Sequence, residues 1–235
     1  MSAAATTPAR EPVLRLASVC KRYRPDRPAV LAGIDLEVAA GEYVAIMGES
    51  GVGKTTLLHL IAGLDRPDAG RIALDGVDLG TLDDDARTLL RRRSIGFVFQ
   101  AFHLLPYLTA RQNVELPLRL LGVGAAERRA RTDRLLDSLG IAALAERRPR
   151  ELSGGEIQRI ATARALVHEP RIVLADEPTG NLDPGTATRT LALLRAQIKV
   201  HATAAILITH SLAAAHTADR ILVLDSRGLS PLEAA

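Results

Sequence analysis

Residues 48–55 read G-E-S-G-V-G-K-T and fit the pattern G-x-x-x-x-G-K-[ST], whose residue types suit it to hold phosphate groups. The glycines let the backbone fold tightly and bring N–H groups close to phosphate oxygens. Lys54 supplies a positive charge for the outer phosphates, and Thr55 offers a hydroxyl to Mg²⁺, which prefers oxygen ligands. The stretch therefore predicts a nucleoside triphosphate site made of Gly48, Glu49, Ser50, Gly51, Val52, Gly53, Lys54, Thr55 and Thr56.

The segments on either side of this loop support the prediction. Residues 42–47, EYVAIM, predict a short buried strand, and residues 56–62, TLLHLIA, predict an apolar helix that Gly63 can end. A glycine-rich turn between a strand and a helix is the alternative. We favour the phosphate site because a helix N-terminus directly after the loop attracts anions.

Two carboxylates follow a second apolar run, IVLA at 172–175. The run predicts a buried strand with Asp176 and Glu177 at its carboxyl end. In phosphate-loop enzymes the first such acid holds Mg²⁺. Glu177 is placed to polarise a water for attack on the γ-phosphate. An acidic strand end facing solvent is the alternative, which the following Pro178 and the phosphate loop disfavour.

Gln100 and His210 also end predicted strands, at residues 95–99 and 203–209. Carboxyl ends of strands in an open α/β sheet face the ligand crevice. Gln100 could therefore bind a metal through its carbonyl or orient a water, and His210 could reach the γ-phosphate. For either residue, an ordinary structural role is the alternative.

The sequence LSGGE at 152–156 predicts a helix start. Ser153 and Glu156 can form a capping box, but this does not explain Gly154 and Gly155, which are costly in a first turn. Exposed N–H groups there would make a second anion site. Asp183 before Pro184 is likewise explained by a helix start alone.

Composition bounds the class of protein. Of 235 residues 47% are apolar, and 30 Lys and Arg against 27 Asp and Glu give a net charge of +3, too slight to argue for nucleic acid. Cys20 is the only cysteine, so no intrachain disulfide can form and a reducing compartment is plausible. No apolar run approaches a membrane span or a signal peptide, so we expect a cytoplasmic protein.

The chain divides by texture. Residues 1–12 are rich in Ala, Thr and Pro and predict a flexible tail. Strands are predicted at 13–19, 33–38 and 70–74. A helix follows, with acids at 83–85 at its start and arginines at 91–93 at its end, a distribution of charge that complements the helix dipole. A role for these arginines at a membrane surface is the minor alternative. Residues 101–167 show only helical patterns, with Pro117 interrupting one of them. We expect an ATP-binding core at 13–100 and 168–235 with an inserted helical lobe at 101–167.

Together, these motifs make the chain resemble the nucleotide-binding subunits of ATP-binding-cassette (ABC) transporters, from residue 13 to 224. The resemblance rests on the phosphate loop, LSGGE at 152–156, LADEPTGNLD at 174–183 and ITHS at 208–211. It implies an α/β fold of the P-loop NTPase (RecA-like) class: a mostly parallel sheet core, an N-terminal antiparallel β portion and the helical lobe. It also implies the following roles: Tyr23 stacks on adenine, Gln100 belongs to the Q-loop, Ser153, Gly154, Gly155 and Glu156 form the signature, Asp176 is the Walker B acid, Glu177 is catalytic, Asp183 belongs to the D-loop and His210 is the switch histidine.

Two of these positions keep an open point. Tyr23 could instead cap the first sheet. Glu156 stands where many relatives have Gln, from which we infer no loss of activity because the serine and glycines remain.

Three further segments are similar to one branch of the family, which covers lipoprotein release, macrolide export and cell-division ATPases: residues 63–70, 97–118 and 176–183. The resemblance implies Mg²⁺-dependent ATP hydrolysis that drives a membrane permease, with a homodimer of these subunits on the cytoplasmic face of the inner membrane and no nucleic-acid partner. Alternatives are a soluble ABC ATPase acting on DNA or ribosomes, and a nucleotide-binding regulator without turnover. The first typically has paired cassettes or coiled-coil insertions, and the intact Asp176 and Glu177 argue against the second.

The segment AFHLLPYL at 101–108 is a candidate docking surface for the permease. It is apolar although it lies between a strand and a helix, where loops are normally exposed and polar. Packing under the helical lobe as ordinary core is the alternative.

Overall fold

The computed structural model of the protein describes residues 12–232. The predicted tail at 1–12 lies, apart from residue 12, outside the described residues. The described chain contains two sheets. The smaller one is antiparallel and is formed by β1 (Leu14–Lys21), β2 (Leu31–Val38), β4 (Ala69–Leu74) and β5 (Val77–Asp78), in the order β2-β1-β4-β5. It is the expected N-terminal β portion.

The larger sheet has six strands in the order β10-β9-β3-β8-β7-β6. Its strands are β3 (Tyr43–Met47), β6 (Ile95–Phe99), β7 (Ile172–Asp176), β8 (Ala204–Ile208), β9 (Arg220–Asp225) and β10 (Gly228–Pro231). All pairs are parallel except β10 with β9. The central strands are continuous apolar runs because parallel strands are buried on both faces. This confirms the predicted α/β fold with a mostly parallel core.

Seven α-helices accompany the sheets in the described residues: α1 (Lys54–Ile61), α2 (Asp84–Ser94), α3 (Ala110–Leu120), α4 (Ala125–Ser138), α5 (Gly154–Leu166), α6 (Pro184–Val200) and α7 (Leu212–Ala215). Asp83, Thr109 and Asp183 cap α2, α3 and α6 with their side chains. Each accepts a hydrogen bond from a first-turn N–H that would otherwise be unpaired.

Described residues between 101 and 167 form no strand, and α3, α4 and α5 pack on one another while α5 also packs on β6. The division into a core and a lobe at these boundaries stays a prediction. Pro117 behaves differently from the expectation, because it lies inside α3 and the helix continues to Leu120. The capping box at Thr109 and burial of the α3 face that carries Val114 and Leu118 offset the hydrogen bond that proline removes.

Two apolar clusters cover the two faces of the large sheet. Alternate residues of one strand enter different clusters: Val44 and Ile46 face the side of α1, whereas Tyr43 and Ala45 face the other side. Layers on both faces leave the strand ends as the accessible edge of the sheet. Among the described residues, we find no helix with the length and apolar character needed to cross a membrane.

Candidate nucleotide-binding site

A cavity of about 660 Å³ opens at the carboxyl ends of the parallel strands. It brings together most of the residues that the sequence predicts for a nucleotide site. The lining comprises Tyr23, Val30, Ser50, Gly51, Gly53, Lys54, Thr55, Thr56, Gln100, Asp176, Glu177, Gly180 and His210. The parallel strands bring together the phosphate loop after β3, the residues that end or follow β6 and β7, and His210 after β8, because their carboxyl ends meet at one edge. Tyr23 and Val30 come from the loop between β1 and β2.

The loop before α1 takes a conformation that requires glycine. Gly53 has φ 112°, and a Cβ there would lie 2.8 Å from Val30 Cγ1. A Cβ on Gly48 would lie 2.5 Å from the Leu224 carbonyl oxygen. Within residues 12–232, no side chain caps the N-terminus of α1, in contrast to α2, α3, α5 and α6. The first N–H groups of α1 are therefore available to an anion.

The Lys54 ammonium is held inside its own loop. Its Nζ donates to the Gly48 carbonyl at 2.8 Å and to the Glu49 carbonyl at 2.7 Å. Burial lowers the pKa of Lys54, and the nearby carboxylates of Glu177 and Asp176 act in the opposite direction. The loop thus orients a cation toward the cavity before any phosphate arrives.

Asp176 ends β7 as a partly buried carboxylate. Burial raises the pKa of Asp176, and the neighbouring His59, Lys54 and His210 side chains act in the opposite direction. A cation placed against this carboxylate would lower its pKa, because a positive charge stabilises the ionised form. Among the described residues, no group of three or more His, Cys, Asp and Glu side chains could hold a metal ion by itself. One carboxylate, the Thr55 hydroxyl and the Gln100 amide oxygen, completed by phosphate oxygens, nevertheless suit Mg²⁺.

Glu177 and His210 contact each other across the strand ends. His210 Nε2 lies 3.1 Å from Glu177 Oε1. Glu177 adopts φ 47°, in the left-handed region, and its N–H donates to the Ile208 carbonyl at 2.9 Å. A glutamate in this region costs about 1–3 kcal/mol and persists only where the surroundings impose it. In this conformation the Glu177 side chain lines the cavity.

The Gln100 side chain lies against the segment after Glu177. A Cβ on Gly180 would lie only 2.8 Å from Gln100 Nε2, so Gly180 leaves room for that side chain. Asn181 Nδ2 donates to the Gln100 carbonyl at 3.0 Å. Sequence reasoning missed Val30 and Gly180 as cavity residues. For Gly180, the TGN at 179–181, which follows the acid pair and Pro178, was the available signal.

The loop after Gln100 contains two successive residues in the left-handed region, Phe102 at φ 59° and His103 at φ 48°. Arg164, in the last turn of α5, donates to both of their carbonyls, at 2.9 Å and 2.5 Å. Burial lowers the pKa of Arg164. One guanidinium therefore holds a strained part of the loop, a contact that no sequence motif indicates.

The signature residues line a different cavity of about 450 Å³, together with Asp183. The predicted capping box is present: Glu156 Oε2 accepts from Ser153 N and from Ser153 Oγ, both at 2.8 Å. These hydrogen bonds lower the pKa of Glu156. Within one chain, therefore, the structure separates Ser153, Gly154, Gly155, Glu156 and Asp183 from the phosphate-loop cavity.

Packing explains one signature glycine. A Cβ on Gly155 would lie 2.5 Å from Thr186 Cγ2, and a Cβ on Gly154 would lie at ordinary contact distance, 3.4 Å, from Leu182 Cδ2. Asp183 Oδ1 accepts from Thr186 N at 3.0 Å and so fixes the neighbouring turn. Gly155 therefore allows close approach of α6, whereas Gly154 has no comparable packing demand.

Comparison with known proteins gives a consistent result. Residues 31–180 match the ABC transporter family model. The chain is 44% identical over 216 residues to the lipoprotein-releasing system ATP-binding protein LolD of Hyphomonas neptunium, covering 91% of this chain and 95% of that protein. It is 47% identical over 213 residues to the macrolide export ATP-binding/permease protein MacB of Brucella abortus, covering 90% of this chain but 33% of that protein.

A solved structure is similar over most of the chain. It is the dimeric structure of a post-hydrolysis state of the ATP-binding cassette MJ0796 bound to ADP and Pi. The match has a TM-score of 0.82 and 37% sequence identity, and it covers 94% of this chain and 100% of that one.

Proposed function

The chain belongs to the ABC transporter family, and we propose that its described cavity binds Mg-ATP and that hydrolysis there drives a membrane permease. It is an ATP-binding subunit and an ATPase of that family, similar to LolD and MacB. The observation that carries the proposal is the single cavity that joins the phosphate loop to Asp176, Glu177 and His210.

We assign the predicted site residues in the lining a part in the reaction. The loop N–H groups and Lys54 bind the triphosphate. Thr55, Gln100 and Asp176 would hold Mg²⁺, which supplies positive charge against the phosphate oxygens when bound. Glu177 accepts the proton of the attacking water, a role that its orientation into the cavity supports.

His210 and Tyr23 complete the assignment. His210 Nε2 is 3.1 Å from Glu177 Oε1, which lets it orient that carboxylate and reach the terminal phosphate. Tyr23 is 56% exposed and lines the same cavity as the phosphate loop, which supports stacking on adenine. Its alternative role as a cap on the first sheet has no support from this placement.

We propose a head-to-tail homodimer in which each ATP lies between the phosphate loop of one copy and Ser153, Gly154 and Gly155 of the other. Two features support it. The signature lines a separate polar cavity in the single chain, so it needs a second copy to reach a phosphate. The similar cassette MJ0796 is dimeric in its ADP and Pi complex.

The segment 101–108 is the proposed permease-docking surface, on the cytoplasmic side of the membrane. Tyr107 is 87% exposed and Leu105 is 48% exposed, whereas Leu104 packs against the core. A neighbouring apolar cavity of about 430 Å³ is lined by His103 of the segment and by Phe97, Phe99 and Leu120. Exposed apolar side chains beside such a cavity are typical of an interaction site.

Co-purification tests the docking surface. Leu105→Glu and Tyr107→Glu should abolish capture of the co-expressed permease and leave ATP binding by the isolated subunit unchanged. Val200→Glu is the matched control, because Val200 is also an apolar residue on the surface, 76% exposed, at the end of α6. Variants that fold and still capture the permease would place docking elsewhere; loss of folding would favour the core alternative.

The relatives give no support to a DNA-bound or ribosome-bound ATPase. The names of LolD and MacB instead support work in lipoprotein release or macrolide export, and therefore a membrane rather than a nucleic-acid partner. An ATPase assay on the isolated chain, with Mg²⁺ and with EDTA, tests the proposed reaction directly. Equal turnover in both conditions would contradict the assigned magnesium ligands.

A further inference from the structure

The ring of Tyr23 has two partners that hold it in place. Its hydroxyl donates to Asp65 Oδ2 at 2.9 Å. On the ring itself, Lys21 Nζ lies 5.1 Å from the centroid, within the range of a cation–π contact. An aromatic side chain that is more than half exposed would otherwise sample several rotamers.

These two partners also bind each other. Lys21 Nζ donates to Asp65 Oδ1 at 2.8 Å and to the Arg66 carbonyl at 2.7 Å. Burial works against the charge of Lys21, yet the Asp65 hydrogen bond and nearby carboxylates outweigh it and raise its pKa. Burial likewise opposes the charge of Asp65, but hydrogen bonds from Lys21, Arg66 N–H and Tyr23 lower its pKa. Both groups stay charged at neutral pH.

Asp65 is anchored to the helix that begins at the phosphate loop. It follows the end of α1, and its N–H donates to the His59 carbonyl at 3.3 Å. Lys54, at the start of α1, contacts the loop that faces the phosphates. The two ends of one short helix therefore fix the distance between the Tyr23 ring and the phosphate-binding groups.

We propose that Asp65 and Lys21 are positioning residues for nucleotide recognition, which hold the Tyr23 ring ready for the adenine base. The inference rests on the proposed stacking role of Tyr23. A ring that is already oriented loses little rotamer freedom when the base binds, so binding is tighter. The effect is confined to ligands that carry a base, because neither Asp65 nor Lys21 lines the cavity.

Calorimetric titration of the full chain tests this with two probes, the non-hydrolysable ATP analogue AMP-PNP and inorganic tripolyphosphate. Tyr23→Phe keeps the ring and removes the hydroxyl; Asp65→Asn keeps the size and removes the charge. Each should raise the Kd for AMP-PNP about 2- to 10-fold, the scale of ordering one side chain. The Kd for tripolyphosphate should stay unchanged.

The double variant supplies a sharper criterion. If both changes act through one contact, the double variant Tyr23→Phe with Asp65→Asn should raise the Kd for AMP-PNP no further than the more strongly affected single variant does. Asp75→Asn is the matched control, since Asp75 also forms an ion pair, with Arg171 at 2.8 Å, but lies outside the cavity lining. It should leave both Kd values unchanged.

Tyr23→Ala separates this inference from the proposed stacking. If Tyr23→Ala weakens AMP-PNP but Tyr23→Phe and Asp65→Asn do not, stacking stands and positioning by Asp65 is wrong. If Tyr23→Ala also binds AMP-PNP as the wild type does, the stacking role itself is wrong. Equal weakening of tripolyphosphate by Asp65→Asn would assign Asp65 to the stability of α1 instead.

Discussion

Glu177→Gln removes a proton acceptor and changes little else. Glutamine has the same length, and its amide oxygen can still accept a hydrogen bond from His210, 3.1 Å away in the wild type. The backbone at φ 47° is as demanding for glutamine as for glutamate. The structural cost is therefore limited to one partly exposed side-chain contact, about 0–1 kcal/mol of unfolding free energy.

The catalytic cost should be much larger. General-base catalysis contributes about 10²- to 10⁴-fold to a rate, which corresponds to about 2.7–5.4 kcal/mol of activation free energy. We expect kcat to fall by at least about 100-fold, with ATP affinity within about twofold of the wild type, because Glu177 makes no contact that holds the phosphate loop. In the presence of ATP, the variant should then accumulate as a dimer, because the bound ATP is not hydrolysed.

The assays are phosphate release, equilibrium ATP binding and size-exclusion chromatography with and without Mg-ATP. Glu169→Gln is the matched control, because Glu169 is another glutamate with positive φ, at 56°, but lies outside the cavity. Wild-type turnover in Glu177→Gln would refute the assignment of the base. Loss of ATP binding together with turnover would show that the residue holds the site together instead.

Three further outcomes can be measured. Lys54→Ala should weaken ATP binding by the isolated chain about 10- to 100-fold, because it removes a charge-assisted contact. Ser153→Arg should leave that affinity within twofold of the wild type and abolish hydrolysis. An equal loss of ATP affinity in both variants would place the signature in the site of its own chain. Gly96→Ala should lower Tm by several degrees, because its Cβ would lie 2.1 Å from a backbone carbonyl of α5. Gly185→Ala, in the first turn of α6, should not, because the nearest atom to its Cβ would lie at an ordinary contact distance of 3.4 Å; an equal fall in Tm would contradict this packing. Burial lowers the pKa of His168 below 6.5. Below pH 6.5 the unfolded chain therefore takes up a proton that the folded chain does not, and the free energy of unfolding falls as the pH falls. His168→Gln should reduce that fall in denaturant titrations from pH 6.5 to 5, and an unchanged pH dependence would contradict this account.

The fold could be predicted from the sequence where the signal is local. Apolar runs that end in a polar residue gave β6, β7 and β8, and therefore the edge on which Gln100, Asp176 and His210 meet. Capping chemistry gave the starts of α2, α5 and α6. Such predictions succeed because each depends on residues within a few positions of one another.

Contacts between distant segments escaped prediction. The hydrogen bonds of Arg164 to Phe102 and His103 join residues at least 61 positions apart. The hydrogen bond between Tyr23 and Asp65 joins residues 42 positions apart. No periodicity or spacing marks such pairs, because they depend on how whole elements pack. Pro117 shows the same limit, since the capping box and burial of α3 override a residue that interrupts helices by itself.

The separation of the two cavities in one chain has a consequence for the rate law. In the proposed dimer, turnover needs two chains, so the specific activity of the free subunit should rise with its concentration until dimers predominate. Two copies held side by side on a permease instead face each other at an effective concentration in the millimolar range, which is typical of short tethers. A subunit that is nearly inactive when dilute would then hydrolyse ATP only where its permease has gathered a pair.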